Sequence, residues 1–214
     1  RLVRDKHPEF CFIAEVYWGL DLELREMCFD YTYYKDPLDW AVGPSGLSRV
    51  QFDYDEEKHR RRIRFLENHD ELRIASMLSL PMHRAAATWI FSLPSAGLFH
   101  QGQFSGALHK APVQLMRMPT EEPNVEIAQF YDNLLTVTAH DARKNGHWSF
   151  LHPRQSWQGN DTHWQVLAQA WDHDESHLRI FVNWADYRSQ CWIDLGIGNL
   201  QGKEVILRDM LTSK

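Results

Sequence analysis

The sequence predicts an α/β protein: a parallel sheet with interleaved helices over residues 10–103, followed by a small antiparallel β domain. Three observations carry this. Short, wholly apolar runs alternate with helix-compatible stretches in the first half. Ile127, Phe130, Tyr131, Leu134 and Leu135 fall at helical spacing. After Lys144-Asn145-Gly146 the chain changes character, to strand-length runs separated by turn residues.

Taken in order, residues 10–14 form an apolar run of the kind expected for a strand buried on both faces. Residues 20–27 have helical composition and precede a second strand at 29–34. Pro37 and Gly43-Pro44-Ser45-Gly46 interrupt the chain, and the dense charge of 53–61 suits a helix. A third strand is expected at 63–66, a short helix at 82–88 after Pro81, and a fourth strand at 89–93. An irregular stretch through Pro112, Pro119 and Pro123 leads to an amphipathic helix over 124–139. Strands are then expected at 164–171, 177–184, 191–195 and 203–207, giving domains at 1–143 and 144–214.

Composition narrows the classes. With 214 residues, 43% hydrophobic and 13% aromatic, the chain can bury a sizeable core and is not a disordered polymer. A net charge of −6 gives no support for nucleic-acid binding, and no apolar run reaches the ~18 residues of a membrane helix. Cys11, Cys28 and Cys191 are odd in number and far apart, which points to buried, reduced thiols and a cytoplasmic setting. Residues 1–10 lack the pattern of a signal peptide and an initiator Met, a first hint of a fragment. The basic run Arg60-Arg61-Arg62 and Arg64 follows four acids and reads as a solvated helix face. The 172–177 run of Asp, His and Glu reads as a solvated hairpin, and the twelve histidines give no metal-ligand set. Six of the nine tryptophans lie from Trp148 onward; they serve either core packing or a sugar-stacking face.

In parallel α/β folds, reactive side chains gather in loops at the C-terminal ends of strands. Two expected strands end in acids: one runs into Glu15, the other into Glu67-Asn68-His69-Asp70-Glu71. If both loops face one cleft, Glu15 and Asp70 form a carboxylate pair of the sort that cleaves glycosidic bonds, their groups within about 10 Å of each other. The alternative is two solvated loops with ordinary surface acids. Tyr17, Trp18 and His69 suit a sugar, flat rings stacking on its faces and the imidazole meeting its hydroxyls. Glu67 and Glu71 flank the site as hydrogen-bonding support.

At these residues the sequence resembles the α-amylase family of glycoside hydrolases. Phe12-Ile-Ala-Glu-Val-Tyr-Trp18 is similar to the end of that family's fifth barrel strand, and Phe65-Leu-Glu-Asn-His-Asp70 to its F-x-x-N-H-D segment after strand seven. The Gly-Gln of His100-Gln-Gly-Gln103 falls where the eighth strand's loop is expected. The resemblance implies the C-terminal half of a (β/α)8 TIM-type barrel, strands five to eight, followed by a small antiparallel β-sandwich. It implies Glu15 as general acid/base, Asp70 as stabiliser of the oxocarbenium-like transition state, and His69, Asn68, Tyr17 and Trp18 as substrate-binding residues. The substrate implied is an α-glucan or oligosaccharide, with no cofactor. Glu15 would need a partly desolvated pocket to stay protonated. The family's nucleophilic Asp ends strand four, in a segment this chain lacks, so the partner implied is the missing N-terminal half of the barrel. Without it the chain should not complete a double displacement. A non-catalytic carbohydrate-binding or scaffold protein is the alternative, and the coding sequence upstream of Arg1 discriminates between them.

Overall fold

A computed structural model describes residues 2–43, 46, 56–115, 117–198, 200 and 202–212. The first half holds α1 (Leu2–Lys6), β1 (Ile13–Ala14), α2 (Asp21–Glu26), β2 (Tyr31–Tyr34), α3 (Asp36–Val42), α4 (Glu56–Arg60), β3 (Arg62–Arg64), α5 (Ile74–Met77), α6 (Leu80–Ser92) and β4 (Ala96–Gly97). The four strands make one parallel sheet in the order β1-β2-β3-β4. That order places the ends of β1 and β3 on either side of β2.

Register decides what each face carries. Ala14, Thr32 and Arg62 share one row, and Asp21 of α2 reaches Arg62 on that face (3.4 Å). Ile13, Tyr31 and Tyr33 lie on the opposite face by strand alternation. There Tyr33 packs on Phe65, with ring centroids 5.4 Å apart. The run at 10–14 was expected to be buried on both faces, yet only two residues pair and Ile13 is 53% exposed. It is an edge strand with one face uncovered.

The remaining elements are α7 (Val125–Thr138), α8 (Asp141–Asn145), β5 (His147–Phe150), β6 (Arg154–Gln155), a 3-10 helix (Asp161–Gln165), β7 (Val166–His173), β8 (Ser176–Asn183) and β9 (Cys191–Trp192). Strands β5, β7 and β8 form one antiparallel sheet, and β6 and β9 a second. Asn124 starts α7 by accepting the Ile127 N–H (3.1 Å), capping the helix expected over 124–139. Helix α8 crosses the junction expected at 143/144, and one core runs through both halves, from Phe65 and Ile90 to Trp171 and Val182. Their joint is hydrogen-bonded as well as apolar. The Trp171 indole donates to the Ser92 carbonyl (2.8 Å), and Gln169 donates to the Trp89 carbonyl (3.2 Å). These groups meet carbonyls in the last turn of α6, where the Trp89 carbonyl also accepts from the Ser92 hydroxyl (3.2 Å).

Several expectations fail for physical reasons. Residues 89–93 are not a strand. Trp89 to Ser92 close α6, whose last two turns are buried on nearly every side, so the segment shows no amphipathic period. Three consecutive alanines lead the helix into that run, and Leu93 turns extended ahead of Pro94. The fourth strand is instead Ala96–Gly97. Residues 203–207 form no strand and are exposed. Of the helix expected at 53–61, residues 56–60 are helical and 53–55 lie outside the described residues, as do Pro44 and Ser45. The basic run is solvated only in part: Arg60 closes α4 and is exposed, whereas Arg62 and Arg64 belong to β3 and are buried, Arg62 stacking on the Tyr34 ring at 3.8 Å. The three thiols are free, but Cys11 and Cys28 are exposed and Cys191 is half-buried. Cys11 precedes the open edge strand, and Cys28 sits in the turn after α2 with a positive φ of 80°.

His83 inside α6 makes stability pH-dependent. It is buried with Nε2 2.8 Å from the Tyr131 hydroxyl, and burial, reinforced by Arg84, pulls its pKa from 6.5 to about 4. Below pH 6.5 the unfolded chain takes up a proton that the folded chain refuses. The stability present above pH 6.5 is therefore lost progressively toward pH 4, by roughly 3 kcal/mol over the interval. Thermal melts at pH 7 and pH 5 should show a larger drop for the parent chain than for His83→Phe; equal drops would contradict this assignment.

Candidate active site

The loops after β1 and β3 meet across β2. One ligand oxygen of Glu15, one of Asp70 and a ring nitrogen of His69 all lie within 4.8 Å of one another. The two carboxylates thus lie well inside the ~10 Å expected of a shared cleft, and both are exposed. His69 Nε2 is 3.5 Å from Asp70 Oδ2. Three such atoms also suit a cation, an arrangement exposed acids commonly reach without one. Glu15 and His69 lie two β/α units apart in the chain, and the parallel order β1-β2-β3 brings the two strand ends together.

Asn68 builds the loop more than it faces outward. It is buried, its Oδ1 accepts the N–H groups of Asp70 (2.9 Å) and Glu71 (3.0 Å), and its Nδ2 donates to the Tyr17 hydroxyl (3.3 Å). Tyr17 in turn donates to Glu15 Oε1 (3.0 Å). Burial first, and the Glu15 carboxylate second, hold the Tyr17 pKa well above its ordinary value, so the hydroxyl stays a donor. Asn68 and Tyr17 therefore link the two loops, Tyr17 holding the Glu15 carboxylate and Asn68 the backbone that carries Asp70. Asn68, expected among the substrate-binding residues, is buried and braces this loop.

Trp18 is 90% exposed beside Tyr17, their rings edge-to-face with centroids 6.0 Å apart. Its φ is +62°, a left-handed backbone that an indole-bearing residue rarely adopts, followed by Gly19 at +76°. Trp18 thus stands in open solvent at the rim of the cleft, on a strained backbone that its surroundings must hold in place.

The cleft itself, about 440 Å³, runs from Tyr17 and Trp18 past Tyr33 and Lys35 to Asp70 and Glu71. Lys35 bridges Glu71 (2.8 Å) and Asp39 (3.5 Å), and the Glu71 contact raises its pKa. Sequence reasoning missed Tyr33 and Lys35. Both sit at the C-terminal end of β2, where the strand-end rule applied to β1 and β3 would have found them. Glu15 and Asp70 are exposed, so the partly desolvated pocket expected around the acid is not enclosed by the described residues.

Beneath the loop lies a buried ion pair. Arg73 Nη1 donates to Glu67 Oε1 (2.7 Å) and to the Gln101 carbonyl (2.8 Å), and it lies 2.8 Å from His100 Nδ1. Arg73 Nε donates to the His109 carbonyl (3.2 Å), and Glu67 Oε2 accepts the Ile74 N–H (2.7 Å). Both side chains are 1% exposed. Burial raises the Glu67 pKa, opposed by the Ile74 amide and Arg73. The pair fastens the Asn68–Asp70 loop to the loop after β4.

This α/β arrangement, with exposed carboxylates at the C-terminal ends of parallel strands, is similar to that of solved α-amylase-family enzymes over part of their length. No protein-family model and no curated protein matches the sequence. Solved structures do. The noncanonic maltogenic α-amylase AmyB of Thermotoga neapolitana superposes with a TM-score of 0.63 at 20% identity, over 86% of this chain and 44% of that one. The Nostoc punctiforme debranching enzyme gives 0.62 at 19% identity, over 84% and 42%. An α-amylase from Lactobacillus plantarum gives 0.62 at 19%, over 85% and 47%. The chain therefore spans less than half the length of each of these structures.

Proposed function

We propose that the chain supplies strands five to eight of a (β/α)8 catalytic barrel (1–143) and a small β-sandwich domain (144–214) to a retaining hydrolase or transglycosylase of α-glucans. The observation that carries this is the approach of Glu15 and Asp70 to within 4.8 Å at the ends of β1 and β3. Retention of configuration is taken from the resemblance to the α-amylase family, whose nucleophile lies in the segment this chain lacks. The structural neighbours include amylases, a debranching enzyme and a cyclic maltosyl-maltose hydrolase, all α-glucan-acting.

In this reading Glu15 gives its proton to the glycosidic oxygen as the C1–O bond breaks. A carboxylate from the other half of the barrel takes C1. Glu15, now ionised, then removes a proton from the incoming water or sugar hydroxyl. Asp70 stabilises the positive charge that develops on the ring, and His69 holds its hydroxyls. Tyr17, Trp18 and Tyr33 offer flat faces to neighbouring sugars. The other half also accounts for the uncovered Ile13 face and for β1 and β4 as sheet edges, since a barrel of this type closes with eight strands.

The test is release of reducing ends from maltooligosaccharides. The 214-residue chain should be inactive alone and active when joined to a barrel half that brings a carboxylate at the end of its fourth strand. Turnover by the chain alone that survives Glu15→Gln would overturn the proposal. In the joined protein, Trp18→Ala should raise KM severalfold with kcat little changed, because it removes a rim contact made equally in ground and transition states. An unchanged KM would remove Trp18 from the binding surface.

A further inference from the structure

We infer that Trp157, Trp164 and Trp192 form a second, non-catalytic binding surface for a neutral glycan chain, carried by the C-terminal region and separate from the Glu15–Asp70 cleft. The identity of the glycan as an α-glucan rests on the function proposed above; the surface itself does not. The six C-terminal tryptophans divide sharply. Trp148, Trp171 and Trp184 are buried in the core, whereas Trp157, Trp164 and Trp192 are 56%, 67% and 66% exposed. Indoles are the largest apolar side chains, and these three are carried, open to water, on elements joined to one another.

The three are mounted on one braced scaffold. Strands β6 and β9 pair Arg154 with Trp192, and the Trp192 indole donates to the carbonyl of Ser156, the residue before Trp157 (3.2 Å). Trp164 lies on the 3-10 helix, its ring 4.6 Å from that of the buried His163, whose Nδ1 is 3.0 Å from the Asn160 carbonyl. Asn160 caps this helix through the Thr162 N–H (3.0 Å) and donates to the Gln190 carbonyl (3.2 Å), tying the helix to the approach to β9. The backbone under all three rings is thus fixed before a ligand arrives, so little ordering is lost on binding.

The surroundings select the ligand. Across 154–165 and 186–194 the charged residues are Arg154, Arg188, Asp161, Asp186 and Asp194, with no excess of positive charge, and the other polar groups are amides, hydroxyls and the buried His163 imidazole. A nucleic acid or an anionic lipid surface needs an excess of positive charge, which is absent from these stretches. Rings interleaved with amides match a sugar, which offers C–H faces for stacking and hydroxyls at its edge. A neutral glycan fits both halves of that description.

Migration of the chain through native gels containing amylose tests the inference. The parent should be retarded. The triple variant Trp157→Ala/Trp164→Ala/Trp192→Ala should bind at least tenfold more weakly, while Tyr17→Ala/Trp18→Ala should remain retarded. All three rings are more than half exposed, so the triple variant should keep its fold, checked by circular dichroism. Retardation that is absent in the parent, or undiminished in the triple variant, would overturn the inference. So would a parent dimer that the triple variant converts to monomer, because the rings would then be covered by a second copy. Loss of catalysis in Glu15→Gln leaves this result untouched, so the two proposals fail separately.

Discussion

In a protein with its barrel complete, Glu15→Gln should slow cleavage of a maltooligosaccharide by about a hundred- to ten-thousand-fold, the usual worth of a positioned proton donor. The same variant should be much less impaired in the first step with an aryl α-glucoside whose phenolate departs without protonation. Asp70→Asn should depress both substrates alike, because both transition states develop charge on the ring. The local geometry makes this a clean comparison. Glu15 Oε1 accepts from Tyr17, an interaction the amide oxygen of Gln retains, so the substitution removes the proton and little else. A Glu15→Gln enzyme equally impaired on both substrates would remove Glu15 from the acid role.

The largest effect on stability should come from Arg73→Met. It would leave the Glu67 carboxylate buried with a single backbone partner, at a cost of about 3–5 kcal/mol. Burial already raises the Glu67 pKa against the pull of Arg73, and removing Arg73 raises it further. An acid whose folded pKa is raised is stabilised in the folded state as pH falls. The deficit should therefore be greatest near neutral pH and should shrink under acid conditions. Denaturant melts at pH 7 and pH 4.5 test this, with the double variant Glu67→Leu/Arg73→Met expected to recover much of the loss. A deficit that grows as pH falls would contradict the buried-pair account.

The site was more legible in the sequence than the sheet that carries it. Glu15, His69 and Asp70 each follow a run of apolar residues, and strand-end placement is a local property that survives in a linear reading. The parallel β1-β2-β3 order followed from the same alternation. Residues 89–93 misled because a helix buried all round and a strand buried on both faces present the same apolar string, and only packing against β7 and β8 distinguishes them. Arg62 and Arg64 misled in the opposite sense. Their charge suggests solvent, but Tyr34, Asp21 and His59 line the space into which β3 turns them. The role of Asn68 was invisible for a related reason: its partners are backbone amides two and three residues on and a hydroxyl fifty-one residues away.

Trapping the intermediate with azide tests the central claim most directly. A Glu15→Ala protein with its barrel complete, given an activated aryl α-maltoside, should form the glycosyl-enzyme but hydrolyse it slowly for want of a general base. Azide needs no base, so it should accelerate turnover and yield the α-maltosyl azide, the configuration retained. A β-azide would mean that Glu15 is itself the nucleophile. No acceleration, with only the sugar as product, would contradict the assignment of Glu15 as acid/base.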